Sequence, residues 1–258
     1  MMRIWTIALH TFKEAVRERV LYNLVVFALL MIGAAILFGH ISVGIEGIIL
    51  VNLGLSSISV FGLLIAIFIG IGLVYKEIER RTVFNILSKP VHRWEFIVGK
   101  YAGLLLTILI NTLVMTGGFY LALFYQNRRF SAQDLIPLGA IYFILLELAL
   151  VIGIATLFSC ISTPVLSAVF TFCVYVIGHF LEEIKSLGES SHIPTLKYLT
   201  EGIYYLFPNF GDFDVIARTA HGHGIAPQLL LTNSLYALLY ISILLSAAIL
   251  IFEEREFK

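Results

Sequence analysis

Apolar residues gather along this chain into six stretches separated by short polar or charged breaks. They run at about Val20–Gly39, Leu50–Val74, Phe96–Tyr125 and Leu135–Ser159, then from just after Pro164 to about Leu181, and finally at about Leu229–Phe252. Roughly 20 apolar residues of helix cover the ~30 Å of a bilayer's hydrocarbon, so the pattern predicts six membrane-spanning helices. Only a few residues separate the fourth and fifth stretches, which predicts a tight helical hairpin. A long polar and aromatic segment, residues 182–228, precedes the last stretch. Ahead of the first, apolar residues recur at Ile4, Ala8, Phe12 and Val16 with Trp5 and Leu9 beside them, while Arg3, His10, Lys13, Arg17 and Glu18 fall elsewhere. That is a helical period. A basic amphipathic helix over residues 1–19 with an aromatic anchor belongs in the plane of the membrane interface. Packing of a solvated helix on a partner is the alternative. The expected architecture is an all-α polytopic membrane protein, one domain over residues 1–258, with an interfacial helix and six spans.

Composition agrees with this reading: 59% of residues are hydrophobic, 13% are charged, and the mean hydropathy is +0.95. Such values exclude an ordinary soluble domain. Formal charge balances at 17 against 17, so the placement of charge is informative and its sum is not. No nucleic-acid partner is expected. The longest charged run between two apolar stretches is Lys76 to Lys100, with Lys76, Arg80, Arg81, Lys89, Arg93 and Lys100 set among Glu77, Glu79 and Glu95. Short loops rich in Lys and Arg stay on the cytoplasmic side. With both termini and this run inside, most basic residues lie inside; Arg128 and Arg129, in a short external loop, run against the rule. Cys160 and Cys173 sit at the end of one apolar stretch and within the next, which argues against a disulfide framework or a Cys-based metal site.

Candidate chemistry is sparse. Nothing fits GxxxxGK[ST], so no ATP is expected to bind here through a P-loop. No HExxH occurs, and His221 and His223 are read as part of a solvated loop. The run from Asp212 to Arg218 resembles the acidic motifs of phospholipid synthases but lacks their further glycine and aspartates, so that enzyme class is set aside. Polar residues inside the spans carry more, because an unpaired polar group is costly in lipid. Thr163, Ser167, Thr171, Tyr175 and His179 recur every four residues as one stripe, and Asn52, Ser56 and Ser59 mark one side of the second span. Two readings stand for these stripes: helix-packing hydroxyls bonded to their own backbone, or faces bordering a shared cavity or subunit interface. His179 is placed near the outer end. Glu147, near the middle of the fourth span, is a functional candidate by its depth alone. Its bland reading is a neutral side chain hydrogen-bonded between helices, for instance to Asn111. An intramembrane enzyme has only Glu147 and His179 to work with, expected at different depths. Gly99 and Gly103 form a GxxxG that lets two helices approach.

The charged run also carries a family likeness. Glu77-x-Glu79, Thr82, Ile86-Leu87-Ser88-x-Pro90-Val91-x-Arg93 and then Gly99-Lys100 resemble, in this order, the segment that ABC-2 family ABC transporter permeases place between their second and third spans. Arg81 departs from it, standing where many members have glycine. The N-terminal helix, the six spans, the hairpin and Pro208-Asn209-Phe210 before the last span extend the likeness to nearly the whole chain. The resemblance implies a permease subunit, most commonly of an exporter, in a bacterial or archaeal cytoplasmic membrane. It implies a second permease copy as partner, in a homodimer, and a separate ATPase that holds ATP and Mg while this chain binds no cofactor. Residues 76–95 would then dock on that ATPase through Glu77, Glu79, Arg80, Arg81, Thr82, Val83, Ile86, Leu87, Pro90 and Arg93. The second and fifth spans would line the path through the dimer. Residues 182–228 would gate its outer side through Tyr204, Tyr205, Phe207, Pro208, Asn209 and Phe210, with the aromatic residues Tyr204, Tyr205, Phe207 and Phe210 forming a face at the interface, or would form an external cap or a docking site for a periplasmic partner. A competing reading uses the same docking segment in a scaffold that passes ATP-driven shape change to an external partner and carries no substrate.

Overall fold

The computed structural model describes residues 2–41, 44–79, 92–128, 131–190 and 194–254, and every regular element among them is helical. In chain order these are α1 (Met2–Val16), α2 (Arg19–Ile41), α3 (Glu46–Glu79), α4 (Arg93–Asn127), α5 (Ile136–Ile161), α6 (Pro164–His179), α7 (Leu181–Ser190), α8 (Pro194–Leu206), α9 (Ile216–Ala220) and α10 (Pro227–Glu254). Single 3₁₀ turns lie at Ala132–Leu135 and Gly211–Phe213. Among the described residues five helices are long and apolar enough to cross a membrane, and a sixth span is reached if α6 and α7, which meet at a 56° bend, are taken together. α6 alone, at 16 residues, is about 24 Å long and falls short of the hydrocarbon thickness.

α5 stands at the centre of the bundle, packed against α3, α4, α6 and α10. Only α3 is as well covered, whereas α2 and α10 leave most of their apolar surface outside. Within lipid the hydrophobic effect does not drive helices together, so close packing and satisfied hydroxyls do that work. Thr107 Oγ1 donates to the Gly103 carbonyl, Asn111 Nδ2 to Thr107, Thr156 Oγ1 to Ile152 and Ser159 Oγ to Thr156, each a turn back along its own helix. Asn111 is thereby engaged within α4, and the expected Asn111 partner for Glu147 is replaced by another, described below.

α1 lies along the first turns of α4. Its buried side chains are Ala8, Thr11 and Ala15, three small residues within one helical stripe, while the larger Ile4, Phe12 and Val16 are only half covered. The reason is Gly99 and Gly103 on α4. A Cβ on Gly103 would lie 2.6 Å from Thr11 Cβ and against the Ala8 carbonyl, and one on Gly99 would lie 2.9 Å from Ile7 Cβ. The GxxxG is thus the seat of α1. Charges fix the same contact: Lys100 Nζ, only 1% exposed, is 3.8 Å from Glu14, and Arg3 is 4.0 Å from Glu95.

The start of α4 is fastened to the last turn of α10. Arg93 donates to the carbonyls of Phe252 (3.2 Å) and Glu253 (2.6 Å), and the Phe96 and Phe252 rings stack with centroids 5.6 Å apart. A helix's last carbonyls have no partner within the helix, and a guanidinium there supplies one. Arg93→Ala is expected to cost about 2 kcal/mol locally, read as faster amide exchange in the last turn of α10 and not in its middle.

Candidate functional site

The site forms where α6 stops. Phe180, its C-cap, returns its N–H to both Val176 and Ile177, and the chain turns away. Gly178 makes room for the turn: the Phe210 N–H donates to the Gly178 carbonyl at 2.9 Å, and a Cβ on Gly178 would strike the Pro208 carbonyl and the Phe210 ring. The Pro208–Phe210 stretch is also tied to α10 through the Tyr236 hydroxyl, which accepts the Asn209 N–H at 3.0 Å, while Asn233 Nδ2 donates to the Asp212 carbonyl at 2.8 Å. The following 3₁₀ turn brings Asp214 over the end of α6.

Beneath this turn lies a cavity of about 160 Å³. α3 contributes Ser56, Ser59 and Val60; α5 contributes Ile144 and Glu147; α6 contributes Tyr175 and His179; Phe213, Asp214 and Ile216 close it. Three titratable groups stand in line from the exposed face inward. Asp214 Oδ2 is 3.8 Å from His179 Nε2, and His179 Nδ1 is 4.0 Å from Glu147 Oε1, with side chains 50%, 30% and 5% exposed in that order. Neither Glu147 Oε1 nor His179 Nδ1 has a hydrogen-bond partner. The Tyr175 hydroxyl faces both the Glu147 carboxyl and the Ser59 hydroxyl, and its ring lies 5.4 Å from the His179 ring and 5.2 Å from Phe210. The His179 imidazole beside Asp214 holds that carboxyl below its ordinary range, and Asp214 Oδ1 accepts the Ile216 N–H at 3.2 Å. Among the described residues no group of three His, Cys, Asp or Glu is arranged to hold a metal ion.

The structure divides the sequence's two stripes. On α6, Thr163 is the exposed N-cap, Ser167 Oγ donates to the Phe158 carbonyl and Thr171 Oγ1 to Ser167, so these three pack or cap. Tyr175 and His179 enter the cavity. On α3, Ser56 and Ser59 line it, whereas Asn52, which accepts from Ser56 Oγ at 3.4 Å, borders a separate apolar groove with Phe38 and Ile41. Glu147 and His179 meet at one depth, a correction to the different depths expected of them. The signal was present in the sequence: they stand almost symmetrically about the hairpin turn at Ser162 and Thr163, and an antiparallel pair puts such residues level. Asp214 was missed, since its arrival depends on the fold of the preceding loop.

The aromatic segment divides as well. Pro208, Asn209 and Phe210 are buried, Tyr204 and Phe207 are half covered, and Tyr205 is exposed. Of the docking residues, Arg80, Arg81, Thr82, Val83, Ile86, Leu87 and Pro90 lie outside the described residues, as do the side chains of Glu77 and Glu79; Arg93 holds the end of α10 as above.

Long apolar helices around a small polar cavity define the chain as a multi-pass membrane protein. Residues 5–257 match the ABC-2 family transporter protein family, and the chain belongs to that family. None of the curated proteins compared with the chain matches it.

Proposed function

We propose that this chain is the permease subunit of an ATP-driven exporter, two copies working with a separate ATPase that holds ATP and Mg, in a bacterial or archaeal cytoplasmic membrane. The observation that carries the reading is the convergence of polar side chains from α3, α5 and α6 on one cavity within an ABC-2 family chain. α3 and α4, of 34 and 35 residues, are each about 50 Å long and overreach the hydrocarbon by about 20 Å. They flank residues 80–92, so a push delivered there by an ATPase travels along two stiff rods. α3 brings it to Ser56 and Ser59 on the cavity wall. Of α6 only Ser167, Thr171 and Gly178 are buried, which leaves an apolar face suited to a second copy. Two arrangements of such a dimer, favoured differently by nucleotide, give alternating access. Residues 1–19 lie at the membrane interface, both termini and residues 76–95 face the cytoplasm, and residues 182–228 close the outer side.

The test is a charge reversal at the docking segment, Glu79→Arg with Arg80→Glu and Arg81→Glu, in the chain co-expressed with its ATPase. Loss of ATPase pull-down, or ATP hydrolysis without flux in reconstituted vesicles, is the expected outcome. Unchanged pull-down and flux would remove the docking role. Hydrolysis coupled to an external partner but never to flux in the unaltered complex would favour the scaffold reading.

A further inference from the structure

The charge of the cavity points to its guest. Glu147 and Asp214 are both carboxyl groups, and His179 alone opposes them on the wall, so with every group ionised one negative charge is left over. Glu147 lines the cavity, is 4% exposed, and its Oε1 has no hydrogen-bond partner. A buried carboxylate in that condition lacks several kcal/mol of solvation that a cation restores. Two aromatic residues, Tyr175 and Phe213, line the cavity, and aromatic faces attract cations, quaternary ammonium groups above all. Among the described residues no group of three His, Cys, Asp or Glu is arranged to hold a metal ion, and an alkylated ammonium is the cation that such rings favour. Volume limits it further: about 160 Å³ is roughly half of the smallest pockets that enclose drug-sized ligands. Only a head group enters, and the remainder of the molecule lies beyond Asp214.

We propose that this cavity binds the alkylated ammonium head of a cationic amine, with Glu147 as its counter-ion and the Tyr175 and Phe213 rings as its walls. The proposal rests on the permease reading and names the substrate class of that same site. Asp214 at the mouth draws the cation in and stands 3.8 Å from His179 Nε2, while His179 Nδ1 is 4.0 Å from Glu147 Oε1. Protons compete with the cation. The titratable groups facing His179 are Glu147 from α5, Asp214 from the covering turn and Glu183 from α7, while Glu147 is faced by His179, Tyr175 and Asp214. His179 is already cationic in that balance, so protonation of Glu147 is the step that removes the site's net negative charge, and binding weakens in acid.

The full chain in neutral detergent, titrated calorimetrically with choline and with its uncharged isostere dimethylbutanol, decides the matter. Saturable choline binding is expected, with the isostere at least about tenfold weaker, which is about 1.4 kcal/mol. Glu147→Gln should lose a similar factor, Tyr175→Phe should keep most of the affinity, and Tyr175→Leu should not. No saturable choline binding, equal binding of the isostere, or unchanged affinity in a folded Glu147→Gln protein would each overturn the proposal. Should Glu147→Gln fail to fold, the choline and isostere comparison on the unaltered chain decides alone. ATPase pull-down and its loss on charge reversal do not depend on choline, so the cation site can fail while the permease reading stands.

Discussion

Leucine at position 103 will lift the N-terminal helix off the bundle. Gly103 has the Ala8 carbonyl and Thr11 packed where its Cβ would be, and a backbone carbonyl cannot rotate aside as a long side chain can. Filling such a contact costs about 3 kcal/mol or more. The strain is relieved most cheaply by moving α1, because α1 rests almost wholly on α4 and its further ties are the ion pairs Arg3–Glu95 and Glu14–Lys100. Losing the second of these is itself costly, since Lys100 is buried and a buried charge deprived of its partner is strongly unfavourable. The readout is limited trypsin digestion at Lys13 and Arg17, expected to be at least about tenfold faster in Gly103→Leu, as a local opening free energy lowered by 1.4 kcal/mol or more requires. Gly117→Leu is the control, being on the same helix with nothing within 4 Å of its Cβ position. If both variants are cut at the same rate as the unaltered protein, the glycine seat does not hold α1.

This contact also shows how far the sequence could be read. The helix over the first residues and the glycine pair on α4 were each legible, yet nothing in their spacing said that one was the other's seat. The period of α1 drew attention to Ile4, Ala8, Phe12 and Val16; of these Ala8 belongs to the face that packs most tightly, which it shares with Thr11 and Ala15, because glycines on the opposing helix select small partners. The apolar stretches themselves were plain, being long and bounded by charge. The fifth was the exception. Its end is set by the insertion of Pro208–Phe210 against Gly178, a contact across about thirty residues of chain that composition does not reveal. From that early stop follow both the meeting of His179 with Glu147 and the place of Asp214. The two polar stripes pointed to the cavity correctly in part: Ser56, Ser59, Tyr175 and His179 reach it, whereas Ser167 and Thr171 spend their hydroxyls on backbone carbonyls within hydrogen-bond reach.

Phe210→Ala is expected to be the most destabilising single change near the cavity, and Tyr205→Ala one of the mildest, although sequence reading put both on a single aromatic face. Phe210 is fully buried and belongs to the main apolar core, with its ring against Tyr175 and filling the space beside Gly178. Removing a buried phenyl ring costs about 3–5 kcal/mol, the spread reflecting how far the hole can collapse. Collapse is restricted here, because the neighbouring backbone is held by the Gly178 carbonyl and the Tyr236 hydroxyl. Tyr205 is 74% exposed and makes no comparable contact, so its truncation should stay within about 0.5 kcal/mol. Thermal unfolding of the two purified variants separates them, and amide exchange locates the damage: the amides of Phe210, Phe213 and Ile216 should lose protection in Phe210→Ala before those of α5 do. That order follows because the covering turn is held to α6 by this ring, whereas α5 is packed against α3, α4, α6 and α10. Equal shifts in the two variants would mean that Phe210 is no more a part of the core than Tyr205, and the lid over His179 would have to be held by its hydrogen bonds alone.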